Sequence, residues 1–449
     1  MTVRTLSRWV DRLLDGRVVI ECPHMEIIGR DHEPPVFTGP GHIVVEADTR
    51  MHFVMHGTPR DEQDAWMKYL AAKNHPGDIH QQFRMNAIGY DGVEWSGGWT
   101  TLWSETMAAN VWRLSGPIHA LQTDMQGYGV AEASSVELAY DRKLRLPLPM
   151  NMVKSVQRGD KEVLWSRSAG TKTLDVLGTQ IEFFQSAERE HVWAVANTSA
   201  ALSHPYLENW LSEPLNLLLG EVVAPRLKCR NFGNGKAMIT LRQNSGFTAD
   251  NLAACILRAD PLIAGDKFWR MYTNILVVVA HARDASGHPN FEAHPLTQYY
   301  WEIIQASKGT NWVLCMTLAS TIEGIAKHMF SEVERKSDWS DADVESLKNA
   351  IKAWEGNNDL RSVVLNNAAF QKTKGIARSL KSLVSDGGIT QEQVDAWQSL
   401  RNSSMHGEMV MPWADEEQAA RIHSLVELTH RLSETYIYRE LEKLGIARA

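Results

Sequence analysis

The chain has 449 residues and a formal net charge of -8 at pH 7, and hydrophobic residues make up 44% of it. This length exceeds what one compact core usually supports and predicts two or three domains. No apolar run reaches the roughly 18–20 residues that a membrane span needs. The four cysteines are widely spaced without a CxxC pair, which argues against disulfide and zinc-thiolate frameworks and favours the cytoplasm. The acidic balance argues against a general nucleic-acid coat.

The first 250 residues alternate short apolar runs, rich in Val, Ile, Phe and Trp, with turn residues. This pattern predicts many β-strands separated by turns, which favours an antiparallel sandwich or an open barrel. One helix is predicted within the region, around Pro205–Leu219. The runs that indicate strands are Arg17–Glu21, His42–Glu46, Met51–Met55, Gln180–Phe184, Val192–Val195 and Ala237–Leu241.

After residue 250 the apolar spacing changes toward the helical period of 3.6. Ser340 with Asp343 resembles a helix-starting capping box, and Thr390 is a candidate cap for a later helix. A long final helix is expected after Asp415. The apolar residues that mark successive helices are Leu314, Leu318, Ile322, Ile325 and Met329, then Val344, Leu347, Ile351 and Trp354, then Ile376, Leu380 and Leu383, then Val394, Trp397 and Leu400, and finally Ile422, Leu425 and Leu432.

These patterns predict an α+β protein with three segments. Residues 1–250 form a β-rich N-terminal sensor or regulatory region, and residues 251–290 form a helical connector and linker. Residues 291–449 form an all-α bundle of at least four or five helices with short connections.

One motif in the penultimate helix carries recognisable chemistry: Arg401-Asn402-x-x-x-His406. Asn402 and His406 are four residues apart, so they share a helix face. Histidine can transfer a proton near neutral pH, and arginine can bind two phosphate oxygens and stabilise developing negative charge. An amide such as Asn402 can orient either partner. These residue types suit cleavage of an RNA phosphodiester by its own 2′-hydroxyl.

The spacing alone is weak evidence, because Arg283 and His288 have the same separation. That second pair lies in a Gly- and Pro-containing segment, which predicts a loop. Only the Arg401 motif falls on a predicted helix within a bundle.

With this motif and its helical context, residues 290–449 resemble the HEPN superfamily (higher eukaryotes and prokaryotes nucleotide-binding), which includes many metal-independent ribonucleases. Leu318–Lys327 is similar to the family's first core helix. The resemblance implies that Arg401, Asn402 and His406 occupy the positions of the family's catalytic arginine, polar residue and histidine. It also implies a homodimer in which both copies of the motif converge on one cleft. The β-rich region ahead of such a bundle is similar to ApeA-type phage-defence proteins.

The resemblance thus implies a metal-independent RNA endonuclease of abortive anti-phage defence, with tRNA a candidate substrate. A phage-derived trigger would act at the N-terminal region, and no membrane partner, metal or cofactor is expected. Glu323 on the earlier helix is a candidate supporting residue, because a carboxylate there can contact the motif. An ordinary surface role for Glu323 remains the alternative.

A basic run without acidic residues is the candidate RNA-binding surface, although a solvated helix face gives the same pattern. Its residues are Arg361, Lys372, Lys374, Arg378 and Lys381. The rival interpretation of the whole chain is a non-catalytic HEPN-like protein that binds a nucleotide or partner through this run. A carbohydrate-active N-terminal region is a third alternative, for which no pair of carboxylates stands out in the sequence.

Overall fold

The computed structural model describes residues 17–30, 33–46, 50–106, 110–123, 133–140, 144–149, 155–158, 161–164, 170–185, 191–243, 252–330, 339–370, 375–405 and 416–449. Antiparallel strands precede a helical region, so the predicted α+β class is confirmed. The chain divides into two compact units that interleave along the sequence. The strand unit comprises Met1–Ser212, Val223–Phe247 and Arg283–Phe291, and the helical unit comprises Glu213–Val222, Thr248–Ala282 and Glu292–Ala449.

The strand unit is built on an antiparallel sheet whose strand order is β12-β13-β14-β9-β15-β16-β8-β5-β4-β1-β2-β3-β7-β6, while β10 and β11 pair with each other. The strands are β1 (Val18–Ile28), β2 (Phe37–Val45), β3 (Met51–Pro59), β4 (Phe83–Ile88), β5 (Glu94–Thr100), β6 (Trp103–Thr106), β7 (Trp112–Pro117), β8 (Ala120–Thr123), β9 (Ser135–Tyr140), β10 (Ser155–Arg158), β11 (Lys161–Leu164), β12 (Thr171–Val176), β13 (Thr179–Gln185), β14 (Val192–Asn197), β15 (Leu227–Gly233) and β16 (Lys236–Arg242).

The alternation of side chains explains why these runs form strands. In β3 the side chains of Met51, Phe53 and Met55 are buried, whereas His56 points to solvent. A strand alternates its side chains between two faces, so this pattern covers one face with apolar atoms. All six predicted strand runs coincide with observed strands.

The sheet bends back on itself around its apolar core. The Thr100 hydroxyl at the end of β5 donates to the carbonyl oxygen of Pro117 at the end of β7, at 2.7 Å. In sheet order, β4, β1, β2 and β3 lie between these two strands. The enclosed face therefore holds large side chains such as Phe37, Phe53 and Trp112.

The helices are α1 (Glu62–Asn74), α2 (Leu207–Trp210), α3 (Glu213–Leu219), α4 (Pro261–Ala264), α5 (Asp266–His281), α6 (Pro295–Ala306), α7 (Asn311–Met329), α8 (Asp341–Ala353), α9 (Asn358–Phe370), α10 (Ile376–Ser385), α11 (Gln391–Met405) and α12 (Glu416–Lys443). In the part of the chain with described structure, no helix is both long and apolar enough to cross a lipid bilayer.

The single helix predicted around Pro205–Leu219 is wrong, because this segment forms the two short helices α2 and α3. Pro214 gives the physical reason. It has no backbone N–H to donate to the carbonyl of Trp210, so one continuous helix would lose a hydrogen bond there. The segment 251–290 contains α5, whose apolar run Ile275–Ala280 is buried. The predicted domain boundaries themselves stay predictions.

Two predicted helix starts are confirmed by their capping bonds. The backbone N–H of Asp343 donates to the Ser340 hydroxyl at 3.1 Å, and the Ser340 N–H donates to the Asp343 carboxylate at 3.1 Å. Thr390 and Gln393 form the equivalent pair at the start of α11, at 3.2 and 3.0 Å. Such reciprocal bonds satisfy donors that the first helical turn leaves without partners.

A buried carboxylate lies at the start of α3. Glu213 is 4% exposed and accepts hydrogen bonds from the His294 backbone N–H at 2.9 Å and the Thr297 hydroxyl at 2.7 Å. Burial raises the pKa of Glu213 from 4.5 to about 7 despite these two donors. Burial disfavours the charged form more than two neutral hydrogen bonds favour it.

Replacing Glu213 with Gln should therefore stabilise the protein only at higher pH. Between pH 4.5 and about 7 the folded state of the wild type holds more protons than the unfolded state, so its stability falls as pH rises through this range. The difference in the free energy of unfolding, Glu213→Gln minus wild type, should be about 3 kcal/mol larger above pH 7 than below pH 4.5. Urea unfolding followed by circular dichroism at several pH values measures the difference. The matched control is Glu302→Gln, an exposed carboxylate in α6; an equal pH dependence in both variants would contradict the prediction.

Candidate functional site

The site begins with the packing of α11 against α7. Val394, Trp397 and Leu400 are buried on one side of α11. The indole N–H of Trp397 donates to the carbonyl oxygen of Ala319 in α7, at 3.4 Å. A buried tryptophan combines a large apolar contact with one directional hydrogen-bond donor. This contact, together with the burial of Val394 and Leu400, orients α11 on α7.

Arg401 follows Trp397 by four residues and Glu323 follows Ala319 by four residues, so each lies one turn further along the same face. The Nε of Arg401 donates to the Glu323 carboxylate, and the guanidinium lies 5.9 Å from the centre of the Trp397 ring. The Arg401 side chain remains 39% exposed and that of Glu323 24% exposed. The structure thus brings Arg401 and Glu323 together at a position that solvent reaches.

Gly324 allows α7 to sit close to α6 next to this ion pair. A Cβ atom at Gly324 would overlap the hydroxyl group of Tyr299 in α6. Glycine is unfavourable inside a helix, at a cost of roughly 1 kcal/mol relative to alanine, unless such close packing requires it. Sequence reasoning missed this residue, although a glycine in the middle of an apolar helical pattern was the available signal.

The remaining motif residues differ in how far the structure describes them. Asn402 is exposed near the end of α11. His406 lies outside the described residues, so its predicted role stays a prediction. Arg401 and Asn402 are consecutive on the helix, and a guanidinium has five N–H donors, of which the Nε bond to Glu323 uses one. The arrangement can therefore still bind a phosphate oxygen beside the carboxylate.

The candidate RNA-binding residues fall on two helices. Arg378 and Lys381 are exposed and three residues apart in α10, so they share one surface. Arg361 lies in α9, where its guanidinium donates to the Trp354 carbonyl at 3.0 Å and to the Asn358 side chain. Lys372 and Lys374 lie outside the described residues.

The competing pair, Arg283 and His288, lies in the loop after α5, as predicted. Both residues are exposed, and the turn is held by the Asp284 carboxylate, which accepts from the backbone N–H of Ser286 at 2.8 Å and His288 at 3.0 Å. Within the described ranges, no group of three or more His, Cys, Asp or Glu residues could hold a metal ion.

The strand unit contains a groove of about 380 Å³ on the face formed by β1, β4 and β5. Glu26 and Glu94 both line it, together with His24, whose Nε2 lies 3.1 Å from Glu26 Oε1. These carboxylates are far apart in sequence, and only strand pairing brings them to one face. The sequence therefore gave no signal of this acidic pair.

No family model, curated protein or solved structure matches this chain. The resemblance to the HEPN superfamily consequently depends on the residues of the motif and their helical setting. The geometry adds the contact between Arg401 and Glu323, which lie 78 residues apart in sequence.

Variants at this pair should fold, which makes the site testable. A partly exposed ion pair contributes at most about 1 kcal/mol, so Arg401→Ala, Glu323→Ala and their double mutant should show a coupling energy below that. Trp397→Ala should instead destabilise the protein by about 3–5 kcal/mol, because it removes a buried aromatic side chain. Urea unfolding of the four variants provides the comparison. A coupling energy as large as the loss of stability caused by Trp397→Ala would mean that the ion pair is structural.

Proposed function

We propose that the chain is a metal-independent RNA endonuclease in which Arg401, Asn402 and His406 carry the reaction. The observation that supports this most directly is the half-exposed Arg401 guanidinium, held at the surface between α7 and α11 by the Glu323 carboxylate and the Trp397 ring. A fixed cation that solvent can reach is what a phosphodiester transition state requires. In the sequence the amide of Asn402 follows directly and the imidazole of His406 comes four residues later.

Each side chain has a distinct proposed role. Arg401 binds the scissile phosphate and stabilises the charge that develops on its oxygens. His406 transfers a proton as general acid or base, and Asn402 orients the phosphate or the imidazole. The 2′-hydroxyl of the RNA gives up its proton and its oxygen attacks the phosphorus, the bond to the 5′-oxygen of the next nucleotide breaks, and that oxygen takes up a proton. The products are a 2′,3′-cyclic phosphate and a 5′-hydroxyl.

Glu323 is a positioning residue in this proposal. Its carboxylate accepts from Arg401 Nε and so restricts the orientations of the guanidinium. A pre-oriented guanidinium loses less conformational freedom when it binds phosphate. Glu323→Gln keeps an acceptor without the charge, so it should lower kcat more than it raises KM, which a purely structural role would not predict.

The biological setting is part of the proposal. RNA cleavage without restraint would kill the host, so the strand unit is assigned the role of sensing a phage-derived trigger in the cytoplasm and restraining the nuclease. The active form is proposed to be a homodimer through the helical unit. Abortive anti-phage defence, with tRNA as a candidate substrate, is the setting that fits such an enzyme.

The cleavage test uses the full-length chain and labelled tRNA in EDTA. Arg401→Ala and His406→Ala should each reduce the cleavage rate by about a hundredfold or more, because each removes charge stabilisation or proton transfer. Arg421→Ala is the matched control. Arg421 lies in α12 and donates to the Ser399 hydroxyl of α11 at 3.5 Å, so it is a nearby arginine outside the motif. Unchanged rates in both motif variants would refute the site assignment.

The rival function is nucleotide or partner binding without chemistry. The exposed pair Arg378 and Lys381 on α10 is the specific observation in its favour. Tight nucleotide binding by a wild-type dimer that never cleaves RNA would favour this rival over the nuclease.

Arg378→Ala and Lys381→Ala should weaken RNA binding equally for all sequences. Each phosphate contact that is lost should also reduce the slope of log affinity against log salt by about 0.7–0.9. Fluorescence anisotropy at several salt concentrations measures both quantities. Lys352→Ala, at an exposed lysine of α8, serves as the control. A slope that both α10 variants leave unchanged would exclude this surface from RNA binding.

A further inference from the structure

A row of cationic side chains lies on one face of the hairpin formed by β15 and β16. Lys228 and Arg230 are two residues apart on β15, so they point to the same side. Arg242 ends β16 on this side too, because its backbone N–H donates to the carbonyl of Arg226, directly across the hairpin, at 2.9 Å. Like charges at neighbouring cross-strand positions destabilise a sheet. The repulsion among these cations must therefore be offset by nearby negative charges.

The compensation within the described residues is incomplete. Lys228 is 6% exposed and its Nζ donates to the Asn209 side-chain oxygen at 3.0 Å, which is a neutral acceptor. The carboxylate that faces the row is Glu208 of α2, which is 1% exposed and forms its ion pair with Arg230. Lys228, Arg230 and Arg242 thus face the single negative charge of Glu208, and Arg226, which is 2% exposed and two residues before Lys228, adds a further cation on this side.

Other elements packed against Lys228 add no negative charge in the described structure. Strand β9 pairs with β15 and presents Val136 and Leu138 to this side, opposite Arg230 and Lys228. The Tyr140 hydroxyl is engaged with Ser212 at 2.9 Å. Burial, together with the charges of Arg242 and Arg230, lowers the pKa of Lys228 from 10.5 to about 7, against the opposing effect of Glu208.

The row is open to solvent at one end. Arg242 is exposed and the Arg230 side chain is 25% exposed, whereas Lys228 lies deepest. Solvent therefore reaches the two guanidiniums more readily than the ammonium of Lys228. A buried cation is costly unless an anion pairs with it, so this geometry favours capture of an anion.

We propose that Lys228, Arg230 and Arg242 bind the phosphoryl group of a small phosphorylated molecule in the strand unit. A phosphoryl group carries about -1.5 to -2 charges near neutral pH, so it offsets an excess of cations more fully than a single carboxylate does. A guanidinium can hold two of its oxygens in a fork, and the lysine ammonium supplies a compact charge to a third. This site is separate from Arg401 and does not depend on the proposed nuclease function.

Proton uptake should accompany binding. The anion favours the charged form of Lys228, so binding is strongest below about pH 7 and weakens by up to about tenfold per pH unit above it. A probe whose own charge stays constant across this range isolates the lysine. Trimetaphosphate is such a probe, while inorganic pyrophosphate and ATP distinguish an inorganic ligand from a nucleotide.

Isothermal titration calorimetry of the full-length chain tests the proposal. Wild type should bind pyrophosphate or ATP, and Lys228→Met and Arg242→Gln should each weaken binding by about tenfold or more. Lys73→Met is the matched control, because Lys73 is an exposed lysine in the last turn of α1, in the strand unit but on a different element from the hairpin. Arg242 is exposed, so its variant should fold even if Lys228→Met does not.

Four outcomes would overturn the site. The first is that wild type binds none of the three phosphate compounds at millimolar concentration. The second is equal binding by wild type and Arg242→Gln. The third is a trimetaphosphate affinity that stays constant from about pH 6 to about pH 9. Binding of single-stranded RNA without binding of these small compounds would also overturn it. None of these results depends on whether the chain cleaves RNA.

Discussion

The hydrogen bond from the Trp397 indole to the Ala319 carbonyl is the constraint on which the candidate site depends. Together with the buried Val394 and Leu400 it orients α11 on α7, and Arg401 lies beside Glu323 one helical turn later. If α11 were rotated about its axis by the angle between successive residues, the guanidinium of Arg401 would face a different neighbour and lose its contact with the Glu323 carboxylate. Gly324 contributes from the other side, because its missing side chain lets α6 approach α7. The polar pair at the surface is thus positioned by apolar packing beneath it.

Arg401 and Lys228 differ in how deeply they are buried and in the charges that surround them. Arg401 keeps its carboxylate partner in a setting that solvent still reaches, so its ion pair is weak and the guanidinium remains available. Lys228 is buried against a neutral amide and two like charges, and its pKa falls to about 7. The first arrangement suits transient contact with a phosphodiester. The second suits a ligand that stays and supplies the missing negative charge.

Local patterns in the sequence were sufficient for much of the secondary structure. The alternation in β3 and the capping box of Ser340 with Asp343 act over a few residues, and both were predicted. The prediction of one helix across residues 205–219 is wrong because Pro214 interrupts it. Pro214 was visible in the sequence, but the prediction followed the apolar pattern instead. Helix α5 was covered only by a general connector, because its second half, Ile275–Ala280, is buried on every side and shows no polar face that would reveal a helical period.

The sequence by itself determined the α+β class, the helix starts after Ser340, Thr390 and Asp415, and the short-range part of the candidate site, since Arg401 and Asn402 are neighbours on one helix. Only the tertiary structure decided that Glu323 contacts Arg401, that Glu26 and Glu94 line one groove, and that Lys228 lies buried near Arg242. The physical reason is the separation in sequence over which each interaction acts. Periodicity and capping are properties of adjacent residues, whereas ion pairs, burial and pKa shifts depend on which distant elements pack together.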